Sequence, residues 1–409
     1  MKISITILSL MMMLNVTSVL GQNSTDDDKY RRSSLFMVLI ESETFPNKES
    51  VMKSWNNYPF PDKYNDHSVE VQTMNPSNYE TTSSESIEMT DRINKFIKET
   101  DLSRKIVAKW FNVTDDGKMD MKLVQDRGFY NASEMDAAIA SGQQRGLASL
   151  GDAGEELISK TFVTFSKLNF VPNEPAALVI KEAAILKANK IKVPTAKTLS
   201  IKAAELAYEK AKEGYSVWTN TWLYQLDWND SIANVFWEMW NNKEDFNNTE
   251  IFKLKYIGKE SSQSLVTFSL KKGEGQRTEE QIIDIATVRN IDNVLSKLQK
   301  EYDVFKPVTP VISSSPITAM IGLKEGLQMG DRFEVLEMIW DDKTGKTVWK
   351  RVNECSVSKK LPILDNRYNA GGKPEVVLDE KGNPIPQVDA TTFKGSKKIQ
   401  PGMLLKQIK

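Results

Sequence analysis

Four aromatic residues in one short stretch are the side chains of this sequence best suited to bind something: Trp218, Trp222, Tyr224 and Trp228. They lie in Tyr215–Trp240, YSVWTNTWLYQLDWNDSIANVFWEMW, which holds five of the chain's nine tryptophans. All four share one parity with Leu226, a period of two, so the spacing predicts a β-strand with one heavy aromatic face. Exposed, such a face is a carbohydrate-stacking platform. The period then changes. Asn229, Asp230 and Ser231 offer capping oxygens, and Ile232, Val235, Phe236, Met239 and Trp240 follow at helical spacing. A strand followed at once by an amphipathic helix buries such a face, so packing is the expected role and glycan or partner binding the competing one.

The other reactive side chains exclude more than they offer. The one histidine, His67, sits in the turn-rich PDKYNDHSV, so a multi-histidine metal site is ruled out and a Ser–His–Asp triad would hang on this residue alone. The one cysteine, Cys355, leaves no intramolecular disulfide and reads as a small strand residue. Glu155-Glu156 and Glu279-Glu280 are adjacent acids on helices, and adjacent helical residues do not face each other. Asp115-Asp116-Gly117 is a turn; Thr114 and Leu123 stand where a calcium loop needs oxygen ligands. Gly142, Gly146, Gly151 and Gly154 lie inside a helix-like stretch, Ser133–Ile158, so they favour close packing over phosphate binding. No catalytic residue, metal site or cofactor is assigned.

The N-terminus carries the clearest address. Met1-Lys2, an apolar Ile3–Leu14 and Val19-Leu20-Gly21 form a secretory signal peptide over residues 1–21. No later stretch is apolar enough to span a bilayer, so no transmembrane helix is expected after cleavage. The formal net charge of −1 gives no reason to expect nucleic acid as a partner.

The elements that must position these residues follow in order. Residues 22–33 form a polar linker. Leu35–Ile40 is a strand buried on both faces. Phe45–Asn78 reads as a long loop packed down by its own aromatics. Ser84–Thr100 reads as a helix, Ile106–Phe111 and Phe162–Val171 as strands. Asn173–Gly214 is an Ala- and Lys-rich helical hairpin, broken at Val193-Pro194, expected to cover the sheet. Ile251–Ile257 and Leu265–Leu270 are strands, Lys272–Arg277 a turn and Thr278–Phe305 a helix. Residues 307–316, rich in Pro and Ser, read as a strand or linker and are taken as the linker between an α/β domain, 34–306, and a small β-domain, 317–409, with strands at Asp331–Trp340, Thr347–Val352, Asp379–Asn383 and Met403–Ile408.

Two resemblances emerge. Gly326–Val335, GLQMGDRFEV, is similar to the G-L-x-x-G-D-x-F-x-V opening of SH3-like β-barrel modules found in flagellar assembly protein T and related envelope proteins. That implies a tight turn at Gly330-Asp331, with Phe333 and Val335 pointing into a barrel. The whole chain resembles a family of uncharacterised exported Bacteroidetes proteins, through RSSLFMVLIE, RGLASLGDAGEELISKTFV and GYSVWTNTWLYQLDW. It is loosely similar to envelope assembly factors such as the curli secretion component, but has neither the lipidated cysteine nor an obvious pair of amphipathic membrane hairpins. The expectation is an α+β protein: a largely antiparallel sheet covered by helices, followed by an SH3-like β-barrel. It would be periplasmic or outer-envelope associated, and act as a structural or adaptor component binding envelope proteins or glycans. The alternatives are a carboxylate-based hydrolase of cell-wall or polysaccharide substrate, and a subunit of a secretion or pore assembly.

Overall fold

The computed structural model describes residue 31 and residues 33–80, 89–130, 156–266, 277–341, 346–367 and 387–408. The expected signal peptide, most of the glycine-spaced stretch, most of the turn at Lys272–Arg277 and the strand at Asp379–Asn383 lie outside them.

The apolar run near the N-terminus is the middle of a sheet. β1, Ser33–Ile40, is buried along its whole length, because parallel strands flank it and helices cover both faces. β2 (Tyr64–Asp66) and β3 (Thr73–Met74) pair parallel with one side of β1; β4 (Thr161–Pro172) pairs parallel with the other. β5 (Tyr215–Leu226) and β6 (Leu254–Val266) then continue antiparallel. The sheet is mixed, with its longest ladders antiparallel. α1 (Lys48–Asn56) and the long helix Glu279–Glu301 cover one face. α2 (Met89–Glu99), α3 (Leu102–Trp110), α4 (Lys122–Tyr130) and the helix Asp230–Glu238 cover the other.

Several local expectations are corrected. Ile106–Phe111 is not a strand; it belongs mostly to α3, whose buried Leu102, Ser103, Ile106, Val107 and Trp110 recur at helical spacing. The loop Phe45–Asn78 contains α1, capped by Asn47 Oδ1 on the Ser50 amide at 3.0 Å, as well as β2 and β3. Ile251–Ile257 and Leu265–Leu270 are not separate strands; one strand, β6, runs through the polar GKESSQS between them. That run was hard to see because β6 is an edge strand with an exposed outer side. At Gly258 the backbone passes against Tyr302: a Cβ there would collide with the phenol ring, and the Tyr302 hydroxyl accepts from the Lys259 amide at 3.0 Å.

The linker at 307–316 is also corrected. Val308–Ser314 is β7, a strand of a closed antiparallel barrel ordered β10-β11-β8-β7-β12-β9. The other barrel strands are β8 (Ile317–Ala319), β9 (Arg332–Asp341), β10 (Lys346–Val357), β11 (Thr391–Gly395) and β12 (Leu404–Gln407). Alternate residues Thr309 and Val311 of β7 point inward, a period-two signal that its Pro and Ser content hid. Phe333 and Val335 are buried in the barrel core, and Gly330 takes φ +89°, as the motif implies. Cys355 is buried there too; burial pushes its thiol up to about 12, which makes it unreactive at neutral pH. The barrel abuts the sheet domain, with Lys406 Nζ 2.8 Å from Asp303 and Gly326 pressed on Ser296.

The helical hairpin forms as expected, over Glu174–Asn189 and Pro194–Ala211, each helix with a proline in its first turn. Its expected role as a covering layer is overturned. Neither core cluster of the sheet domain draws on these helices. They pack on each other, with Ala177, Ala188 and Ala204 as their buried side chains, while Ile180, Leu199 and Leu206 stay exposed.

Candidate functional site

The aromatic face divides at the point where the covering helices stop. Tyr224 is fully buried, its hydroxyl donating to Asn94 Oδ1 of α2 at 3.0 Å. Trp222 is 5 % exposed and carries Lys259 Nζ 4.8 Å above its ring. Trp228 is half-buried among Phe111, Phe236 and Phe252. These three are packing residues. Trp218 shares their parity but is 49 % exposed, near the start of β5.

Beside Trp218 lies a cleft. Trp218 pairs across the ladders with Asn169 of β4 and Gln263 of β6, and directly opposed residues share a face. Asn169 and Lys167 form one wall of a cleft of about 480 Å³ at the carboxyl end of β1. Here β1 is flanked by β3 on one side and β4 on the other, so the chain departs in two directions. Crevices at such switch points are the usual binding places of sheets with parallel strands. Glu41, Ser42, Glu43 and Thr44, just after β1, line its floor; Asn75, Pro76, Ser77, Glu80 and Arg92 close the other side.

The floor is preorganised by its own bonds. Ser42 Oγ donates to Asn169 Oδ1 at 3.3 Å and lies 2.9 Å from Thr44 Oγ1, which accepts from the Phe170 amide at 3.2 Å. The carboxylates are largely held: Lys48 Nζ is 2.7 Å from Glu41 and Arg92 Nη1 is 3.2 Å from Glu80. The Arg92 Nε–H is buried without an acceptor. The cleft therefore presents mixed hydrogen-bonding groups beside one open indole ring. Nothing in the sequence marked it, because its lining comes from six short stretches; only Trp218 was singled out, and for its place in a row whose other members are packed.

The remaining candidates are structural. His67 is fully buried. Arg127 Nη1 donates to its Nδ1 at 2.7 Å and Nε2 donates to the Ile106 carbonyl at 2.9 Å, which defines one neutral tautomer. Trp110 stacks on the imidazole at 4.9 Å, with Arg127 4.5 Å from the same indole. Burial, with the Arg127 charge adding to it, pushes the His67 pKa well below the usual 6.5. The unfolded chain thus binds a proton below about pH 6.5 that the folded one refuses. Stability from this group is complete above that pH and falls as pH drops below it. The expected loss is about 1 kcal/mol per pH unit, read from urea unfolding between pH 7 and 5 and absent in His67→Gln. Glu279 and Glu280 point to separate partners, the Tyr215 hydroxyl at 2.8 Å and Lys53 Nζ at 2.6 Å, and form no carboxylate pair. Among the described residues no group of three or more His, Cys, Asp or Glu is placed to hold a metal ion, and no helix is long and apolar enough to cross a membrane. No family model matches the chain, and no curated protein matches its sequence.

Proposed function

We propose that the protein is a non-enzymatic, exported component of the Gram-negative cell envelope, an adaptor that holds a glycan in the cleft beside Trp218. The observation that carries this reading is the half-exposed indole directly opposite Asn169, a residue that lines a polar cleft. An indole face packs on the CH face of a sugar ring, and amide and carboxylate side chains around it bond the hydroxyls. The paired charges of Glu41–Lys48 and Glu80–Arg92 suit a neutral polyol better than a charged ligand, since neither sign is left dominant. The reading of residues 1–21 as an export signal supports an envelope location for that glycan.

The test is retardation in gels cast with a neutral polysaccharide, together with co-sedimentation with purified peptidoglycan. Trp218→Ala is expected to weaken retention about tenfold, the loss of ring stacking worth about 1.5 kcal/mol, and to leave melting unchanged. Equal retention of the variant and the parent, or no retention of the parent on either material, would remove the glycan reading.

A further inference from the structure

We propose that the helical hairpin Glu174–Ala211 docks the protein on an anionic lipid surface. The inference is independent of the glycan cleft and rests on how this hairpin is packed and charged.

Its packing is inside out. Two helices that fold against a protein core turn their large aliphatic side chains inward. Here the buried side chains are the alanines Ala177, Ala188 and Ala204, Tyr208 bridges the helices through Glu174 and Lys181, and Leu186, Val193, Leu199 and Leu206 are each between 57 % and 69 % exposed. Small residues between two helices, with larger apolar ones outside, is the arrangement helices adopt when their surroundings are themselves apolar. Val179 and Ile180 are both exposed and lie about 100° apart around one helix, wider than the single stripe a protein groove takes up.

The charge at the tip selects among apolar surroundings. Between Glu182 and Glu205 the chain carries Lys187, Lys190, Lys192, Lys197 and Lys202 and no acidic residue. None of the five makes an ion pair among the described residues; the hairpin's ion pair, Lys212–Glu209 at 2.8 Å, lies at its base. Aliphatic side chains interleaved with unpaired lysines match the boundary of an anionic bilayer, where the tails take the former and the headgroups the latter. Each helix is too short and too charged to cross, so the contact is peripheral. The base is rigid enough to carry the load. Asn173 donates from Nδ2 to the carbonyls of Glu213 and Val266, and accepts from Ser216 Oγ at 2.9 Å.

The experiment uses the mature chain from Gln22 onward, so that the apolar leader cannot bind. It is mixed with phosphatidylcholine vesicles with and without phosphatidylglycerol, and bound protein is measured by flotation. Binding is expected on the anionic vesicles alone, and to weaken with salt. A triple variant Lys190→Glu, Lys192→Glu, Lys197→Glu should bind at least about a hundredfold more weakly, since each lysine near such a surface contributes roughly fivefold. Leu186→Ser with Leu199→Ser should weaken binding without altering melting, because both side chains are exposed. Absence of binding to anionic vesicles, equal binding to neutral ones, or full binding by the triple variant would overturn the proposal. So would a concentration-dependent dimer that the serine variant dissociates, since the apolar surface would then belong to a second copy. Retention on polysaccharide reads a different surface, so the two proposals fail separately.

Discussion

Trp222→Ala is expected to lower the stability of the protein by about 3–5 kcal/mol, while Trp218→Ala four residues earlier on the same strand stays within about 0.5 kcal/mol. Trp222 is closed into the core between Phe165, its ladder partner on β4, and Lys259 of β6. Truncation removes the ring and leaves a cavity that two paired strands cannot collapse to fill. The loss is a large share of the roughly 5–15 kcal/mol that holds a domain folded. Urea midpoints of the two variants, measured side by side, check the prediction. A Trp222→Ala protein with the parental midpoint would mean that the ring is not packed.

Arg127→Ala is expected to cost on the order of 3 kcal/mol, and Arg127→Lys to recover only part of it. The guanidinium is buried and reaches Ser34 Oγ of β1 at 3.1 Å, the Asp66 carbonyl at the end of β2 at 2.7 Å and Nδ1 of His67, the next residue, at 2.7 Å. Burial draws its own pKa down to about 10, with Asp66 opposing the shift, so the charge persists at neutral pH. Alanine leaves the imidazole nitrogen buried without a donor. A lysine has the charge but not the planar fork that serves several acceptors at once. In Arg127→Ala the imidazole loses its cationic neighbour, so the acid sensitivity expected from His67 should become shallower. A variant as stable as the parent would show that water or a neighbour takes over these bonds.

What could be read from the amino-acid order alone depended on how each element is solvated. Leu35–Ile40 announces itself, because a strand covered on both faces has no polar positions. The capping box of Thr278 and Gln281 marks the start of the long helix to within a residue, whereas its end at Glu301 comes four residues before the expected Phe305. The β5 parity was legible, yet parity reports which face a side chain takes, not whether a helix covers that face; Trp218 and Trp222 differ in that respect alone. The β6 and β7 strands were missed as single strands because an edge and a proline-bearing barrel strand lack the apolar runs on which strand recognition relies. The hairpin was legible as two helices, but its partner was not, since alanine and leucine both count as apolar and only packing tells which of them faces inward. The cleft was illegible for a different reason: it is assembled by the switch in strand direction around β1, a property of topology and of no contiguous segment.

The close approach of Tyr302 to Gly258 bears on how copies of this protein avoid one another. An edge strand thirteen residues long presents a template for intermolecular β-pairing. Here the outward-facing peptide of Lys259 is already occupied on both sides: its amide donates to the Tyr302 hydroxyl, which in turn lies 3.3 Å from its carbonyl. Two residues on, Lys297 Nζ takes the carbonyl of Ser261 at 2.6 Å. An incoming strand would have to displace a phenol and an ammonium group to pair along Lys259–Ser261. The glycine is what lets the ring sit in that plane, so one residue without a side chain closes part of the edge that β6 presents among the described residues.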